Sequence, residues 1–198
     1  MLEWNEKLAR AYFRASRLAP TFPAAAARVP RPNGGIGLGQ GFNPKIWSLR
    51  VESAGMGPAR SFSLDAITAL PRVEMVTELK CIEGWSDPVQ WAGVRLADFA
   101  AKFRLLDRDH LSRYALLSTP DDAYYVGLDM ESALHPQTLL CYEMNGQALT
   151  LEHGAPLRLV IPVKYGIKHI KRIGTIRFTD ERPADYWAER GYDWYAGH

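Results

Sequence analysis

Apolar positions fall in short alternating runs punctuated by glycine and proline, with a few stretches at helical spacing between them. Near the N-terminus Trp4, Leu8, Ala11, Tyr12, Ala15 and Leu18 recur every three or four residues. That spacing predicts a helix over residues 2–19, packed on the domain by this face, with Lys7, Arg10, Arg14 and Arg17 mostly on the solvated side. The competing reading is a docking helix for an acidic partner or a membrane surface. Residues 20–44 turn to Pro, Gly and Ala, including Asn33-Gly-Gly-Ile-Gly-Leu-Gly-Gln-Gly41. Such a run holds neither a helix nor a central strand. It reads as a linker or as a loop whose backbone comes close to a ligand.

Beyond it, alternation predicts strands over 46–52, 73–81, 114–119, 124–128, 138–144, 147–151, 157–163 and 174–178. Asn145-Gly146 marks a hairpin between two of them. A short helix is expected over 63–70, capped by Ser63 and stopped by Pro71, another over 96–103 by apolar spacing, a brief one over 129–134 before Pro136, and a terminal helical turn over 183–190. Gly84-Trp85 and Asp87-Pro88 read as a turn. Short strands with irregularly interspersed helices argue for an α+β fold with mixed sheets, not regular βαβ winding. The expected organisation is an N-terminal helix and arm over 1–44 followed by one domain over 45–198.

Composition changes this picture little. The 198 residues are 47% hydrophobic and 23% charged, enough for one ordinary domain with a substantial core. A net charge of +2 makes no case for nucleic acid as a partner. No apolar run approaches the roughly 18 residues a membrane-spanning helix needs, and no leader is visible. A cytoplasmic location is therefore expected for the chain as it stands, and a periplasmic one if a leader is missing. The two cysteines lack the paired spacing of a structural zinc site.

Two segments carry candidate chemistry. Cys81 ends an apolar strand in Glu78-Leu-Lys-Cys-Ile-Glu-Gly-Trp-Ser-Asp-Pro88, with Lys80 beside it to favour the thiolate and a glycine turn to expose the sulfur. A cysteine nucleophile using His110, His135, His153 or His169 as base is one reading, although spacing places none of these beside it. Cys141, in mid-strand, reads as a buried structural thiol. The second segment carries Arg158, Lys164, Lys168, Lys171 and Arg172 together with His153 and His169, and no acidic residue lies from His153 to Thr179. Either this is a solvated basic face, or the cations converge on an anion, as phosphate recognition requires. A GxxxxGK(S/T) phosphate loop is absent, which argues against a nucleotide.

The motifs themselves resemble a known family. His153-Gly-Ala-Pro-Leu-Arg158, then Ile161-Pro162, then Gly166-Ile-Lys-His-Ile-Lys171 is similar to the pterin-binding stretch of the sulfite oxidase family of molybdenum enzymes. Cys-Ile-Glu-Gly-Trp-Ser86 and Trp91-Ala-Gly-Val-Arg-Leu96 resemble its molybdenum-ligating cysteine segment. Within the family, the likeness is strongest to the catalytic subunits of bacterial methionine sulfoxide reductases. Tyr125-Val-Gly-Leu-Asp129, Leu134-His-Pro136, Lys164-Tyr-Gly166 and Thr179-Asp-Glu-Arg-Pro183 extend it, in the same order, over residues 46–183.

The resemblance implies a compact sulfite oxidase-type domain with the pterin between sheets and the molybdenum near the surface. It implies that Cys81 gives molybdenum its protein thiolate and that Tyr165 lies near the metal. Thr119, His153, Arg158, His169, Ile170 and Lys171 would hold the molybdopterin, with Asn33 a further contact. The implied reaction is two-electron oxygen-atom transfer on a small-molecule substrate, reduction of an S- or N-oxide ahead of sulfite oxidation. Electrons would come from a separate donor such as a membrane cytochrome b. Three departures qualify this. Glu83-Gly-Trp85 stands where sulfite oxidases carry an arginine, His153 replaces an asparagine, and neither a haem motif nor room for their dimerisation domain is present. The expectation is a minimal catalytic module. The alternative is a non-enzymatic module that binds pterin or another phosphorylated ligand through residues 153–172.

Overall fold

The computed structural model describes every residue except Met1, Ala15, Asn33, Met56 and residues 108–111. Its elements run α1 (Leu2–Tyr12), β1 (Leu49–Ser53), β2 (Arg60–Phe62), α2 (Leu64–Thr68), β3 (Val73–Lys80), β4 (Ser86–Arg95) and α3 (Leu96–Lys102). They continue β5 (Tyr114–Ser118), β6 (Tyr125–Asp129), α4 (Met130–Ala133), β7 (Leu139–Met144), β8 (Gln147–Ala148), β9 (Arg158–Val160) and β10 (Thr175–Thr179). The class is α+β, as the alternating pattern implies. One sheet runs β2-β1-β10-β5-β6 and is mixed, because β10 lies parallel to β1 and antiparallel to β5. The other runs β3-β4-β7-β8, with β9 also on β7, and is antiparallel throughout.

Alternation along these strands sends one side chain in two to the interior. Val51, Leu117, Val126, Leu128, Ile176 and Phe178 of the first sheet join Val94, Leu140 and Leu159 of the second, with Phe99 of α3, in one buried cluster. On its other face the second sheet buries Val89, Trp91, Leu139, Cys141 and Val160. Cys141 is closed off there, its Sγ–H donating to Glu143 O at 3.1 Å, and burial pushes its thiol up to about 12.

Local rules account for the helix starts. The Ser63 hydroxyl accepts from Ala66 N–H at 3.2 Å, and the Asp129 carboxylate accepts from Ser132 N–H at 2.9 Å. The helical turn expected over 183–190 is confined to a single 3-10 turn, Ala188–Arg190. Two further expectations need correction. The first is the turn at Asp87-Pro88, which lies inside β4. Pro88 stands opposite Glu78, and its carbonyl points outward to accept Arg28 N–H at 2.8 Å. Its absent N–H would face the same outward side, so proline costs β4 no ladder bond to β3. The second is α1, which ends at Tyr12 and not near residue 19.

Packing of α1 is also inverted relative to expectation. Its inner side carries Glu6, Ala9, Arg10 and, just beyond its end, Phe13. Arg182 donates to Glu6 at 2.8 Å, and the Arg10 guanidinium lies 4.8 Å from the Tyr195 ring centre. Phe13 meets the Tyr195 ring edge-on at 6.4 Å. Trp4, Leu8 and Tyr12, the expected inner face, are 66%, 40% and 70% exposed. Aromatic rings on the C-terminal segment favour a cation and a ring as neighbours, and this turns the helix over.

The Gly- and Pro-rich arm is laid against the domain. Phe22 N–H donates to Val76 O on the edge of β3 at 3.0 Å, and Asn145 Nδ2 donates to Arg28 O at 2.9 Å. Further along, Gly37 adopts a φ of +72°, and a Cβ there would meet Thr119 Cγ2 at 2.4 Å. Glycine is what lets the arm lie this close.

Candidate active site

β3 delivers Cys81 to a tight turn. Cys81 N–H donates to Trp85 O at 2.8 Å, and Gly84 N–H donates to Cys81 O at 3.1 Å, with Gly84 at a φ of +92°. The turn leaves Sγ partly exposed, 3.9 Å from a Glu83 carboxylate oxygen. The second segment touches the first directly. A Cβ on Gly166 would lie 3.3 Å from Lys80 O and 3.9 Å from Cys81 Cα. Gly154, at a φ of +100°, sits so close to Lys171 that a Cβ would meet Lys171 Cβ at 2.8 Å. Leu159 N–H donates to Ile170 O, and Ile173 N–H to Leu157 O, both at 2.9 Å, so residues 153–173 form one folded unit.

Between these units lies a cavity of about 340 Å³. Cys81, Glu83 and Trp85 line it together with His153, Arg158, His169 and Lys171. Arg158 is 3% exposed, and among the described residues no carboxylate pairs with it. Its guanidinium donates to His153 O at 3.1 Å and His169 O at 3.3 Å, lies 4.8 Å from the Trp91 ring centre, and leaves Nε without a partner. Burial lowers its pKa to about 10. A buried cation with two carbonyls and no anion is costly alone and is relieved by an anionic ligand.

Lys171, half-buried, donates to Gly34 O on the arm at 3.4 Å, and burial with Arg158 nearby lowers its pKa to about 8. His169 is held by its Nε2, 3.0 Å from Ile161 O, which makes Nε2 the protonated nitrogen. Its Nδ1 is buried without a partner, and burial drops its pKa to about 3, so the ring stays neutral. His153 is likewise lowered by burial, then by Arg158 and Lys171. The Trp85 indole N–H is a second buried donor without a partner. The cavity thus offers two cations, an indole donor and an imidazole acceptor at one side of a thiol.

Five of the residues singled out from the sequence therefore share one cavity: Cys81, His153, Arg158, His169 and Lys171. Three others do not line it. Thr119 donates to Asp121 at 2.6 Å beneath Gly37, Ile170 is buried in the main core, and the Tyr165 ring meets His198 edge-on at 5.1 Å. Asn33 and His110 lie outside the described residues, although Gly34 next to Asn33 lines the cavity. His135 is held elsewhere, tilted on Phe13 with Nε2 at 3.3 Å from Arg17 O. The basic cluster also divides. Lys168 pairs with Asp185 at 2.5 Å, and Lys164 lies 3.6 Å from Asp129 and 2.8 Å from the Tyr195 ring centre. Both partners lie outside residues 153–179, which is why the segment looked uncompensated.

Sequence reasoning passed over five wall residues: Arg31, Trp85, Tyr124, Trp187 and Tyr192. Arg31 lies 5.5 Å from the Trp85 ring centre, Tyr124 OH donates to Ile167 O at 2.5 Å, and Trp187 meets Tyr192 edge-on at 5.2 Å. The density of aromatics over residues 186–195 was the available signal. Among the described residues no cluster of three or more His, Cys, Asp or Glu side chains is arranged to cage a metal.

A partly exposed thiol thus shares an aromatic-walled cavity with a buried guanidinium and a half-buried ammonium. The family model for the oxidoreductase molybdopterin-binding domain matches residues 38–187, and the chain belongs to that family. It is 36% identical over 187 residues to the putative protein-methionine-sulfoxide reductase subunit YedZ1 of Azospira oryzae, covering 93% of this chain and 70% of that one. It is 38% identical over 177 residues to the protein-methionine-sulfoxide reductase catalytic subunit MsrP of Campylobacter jejuni, covering 81% and 59%. Across the curated relatives the chain spans from about half, 47% in Xanthomonas campestris MsrP, to 70% of their length. The crystal structure of the sulfane dehydrogenase SoxCD from Paracoccus pantotrophus shares the fold, with a TM-score of 0.63, 18% identity, and coverage of 71% of this chain and 40% of that one. The sulfite oxidase-type resemblance seen in the motifs holds at the level of family and fold.

Proposed function

We propose that this chain is the catalytic part of a molybdenum enzyme that reduces S-oxides. One observation carries the reading: Cys81 opens onto the same cavity as Arg158, His169 and Lys171. Arg158 and Lys171 would neutralise the terminal phosphate of a molybdopterin. His169 Nδ1 would accept, and the Trp85 indole N–H would donate, hydrogen bonds along its pterin. Cys81 would provide a thiolate to molybdenum, a soft donor that suits this metal beside dithiolene sulfur. When bound, the cofactor would supply the two-electron redox couple that oxygen-atom transfer requires. The balance is one S-oxide plus two electrons and two protons giving one thioether and water.

The walls argue for the substrate. Glu83 places a carboxylate beside the thiol, which disfavours an anion such as sulfite and tolerates a neutral S-oxide. Trp85, Trp187 and Tyr192 suit a thioether, which packs well on aromatic rings. The relatives named as methionine-sulfoxide reductases point the same way, to methionine sulfoxide in a protein or peptide. Electrons would come from a separate donor, a membrane cytochrome b being the expected kind.

The test is a preparation from a molybdenum-competent host, assayed for metal and pterin and then with reduced dye against methionine sulfoxide, dimethyl sulfoxide, trimethylamine N-oxide and sulfite. Expected are one molybdenum and one pterin per chain and turnover of methionine sulfoxide. Protein lacking both would sink the enzyme reading and leave a binding module. Sulfite oxidation without S-oxide turnover would reverse the direction assigned to Glu83. Cys81→Ser should abolish turnover while pterin remains bound.

A further inference from the structure

Around α1 an apolar surface faces outward, and its surroundings say what would cover it. Trp4, Leu8 and Tyr12 stand at four-residue spacing and so form one stripe along an eleven-residue helix. All three are exposed, and Leu18 beyond the helix is 56% exposed. This is not a frayed segment left without contacts. Glu6 bonds Arg10 at 2.9 Å and Arg182 at 2.8 Å, and Arg10 and Phe13 pack on Tyr195, so the opposite side is anchored. The helix is held with its polar side inward and its aromatic side outward.

The exposed charges described on α1 and just beyond it are of one sign. Over residues 4–18 the only acidic residue is Glu6, and it is turned inward into its two arginine pairs. Lys7, Arg14 and Arg17 are exposed beside the stripe. The Arg14 guanidinium donates to Ala11 O at 2.9 Å and Phe13 O at 2.7 Å, which holds its charge at the exposed end of the helix. Next to the stripe runs a groove of about 500 Å³ lined by Leu8, Tyr12, Leu18 and Val163, with Arg14 and Arg17 in its walls.

We propose that α1, with Arg14, Arg17 and Leu18, forms a docking surface for an anionic lipid bilayer. Trp and Tyr, with an apolar body and a polar edge, sit at the headgroup boundary, and Leu8 and Leu18 reach the acyl region. Lys7, Arg14 and Arg17 meet the phosphates, and the groove takes up displaced headgroup or chain. An acidic protein patch would answer the charges but not an aromatic stripe along a helix with an open apolar groove beside it. Lys80 also lines the groove and precedes Cys81, which puts the docking surface next to the end of β3 that carries the thiol.

The test uses the purified full chain with vesicles of phosphatidylcholine alone or mixed with phosphatidylglycerol. Sedimentation with the mixed vesicles only, reversed by salt as the screening length falls from about 10 Å to about 3 Å, is the expected result. Lys7→Gln, Arg14→Gln and Arg17→Gln should each lower the partition coefficient roughly fivefold. Trp4→Ser with Tyr12→Ser should lower it at least about tenfold. Because those side chains are exposed, circular dichroism and melting temperature should not move. Three outcomes overturn the proposal: no binding to the mixed vesicles, equal binding to neutral ones, or recruitment only to vesicles that carry a membrane protein. Full binding by the Trp4→Ser, Tyr12→Ser chain would do the same.

Discussion

Arg158 has its fork occupied by two backbone carbonyls and its charge answered by nothing anionic among the described residues. Removing it should cost the site more than it costs the fold. We expect Arg158→Ala to lower cofactor occupancy by a factor that corresponds to about 1.5–3 kcal/mol, read as pterin released per chain. Arg158→Lys should recover only part, because an ammonium lacks the fork. Lys171 adds a pH signature. Burial lowers its pKa to about 8, so it is charged below that value and neutral above it. An anion prefers the charged form, so affinity for pterin phosphate should fall as pH rises through about 8. Binding above that pH should take up a proton, as calorimetry in buffers of different ionisation enthalpy would report. Lys171→Gln should remove that pH dependence, and its persistence would point to another group.

At the scale of elements, glycines set how closely chains approach. Gly93 lies where the register of β4 and β7 shifts, and a Cβ there would fall 2.2 Å from Leu140 O. Backbone cannot yield as a side-chain tip can, so Gly93→Ala should destabilise by about 2–3 kcal/mol in urea unfolding. Gly154→Ala should behave differently. It strains a positive φ and pushes on Lys171, so loss of cofactor should accompany any loss of stability. Strand β4 also shows why turn residues misled. Asp87-Pro88 has turn chemistry, yet Pro88 stands where its missing N–H would point away from β3. Only the neighbouring arm, through Arg28, reveals that arrangement.

At the scale of the molecule, the cavity walls come from the arm, the Cys81 turn, Tyr124, residues 153–171 and the C-terminal turn at once. A ligand that fills the cavity ties all of these together and binds only the folded state. At a hundredfold excess over Kd this adds about 2.7 kcal/mol, which for a chain of this size raises Tm by about 5–10 °C. Cofactor-loaded and cofactor-free protein compared by calorimetry would check it, and equal melting temperatures would mean the cavity is not the binding site. The same scale explains the divided basic cluster. Lys164 and Lys168 find Asp129 and Asp185 across the fold, which leaves Arg158 and Lys171 facing the cavity.

Local chemistry was legible in the sequence wherever the physics is short-ranged. Alternation and turn residues determined most strands, Ser63 and Asp129 determined helix starts, and the order of the motifs determined the family. The two glycine turns that present Cys81 and Lys171 could also be read directly. What tertiary structure alone decided depends on contacts between distant residues. It turned α1 over through Glu6, Arg10 and Phe13, and it drew the arm across the site through Gly34 and Gly37. It also sorted four cations into structural and cavity-facing ones. Sequence spacing reports which side of an element is apolar. Whether that side is buried depends on what the rest of the fold offers it, and here Tyr195 and Arg182 offered more to the polar side of α1.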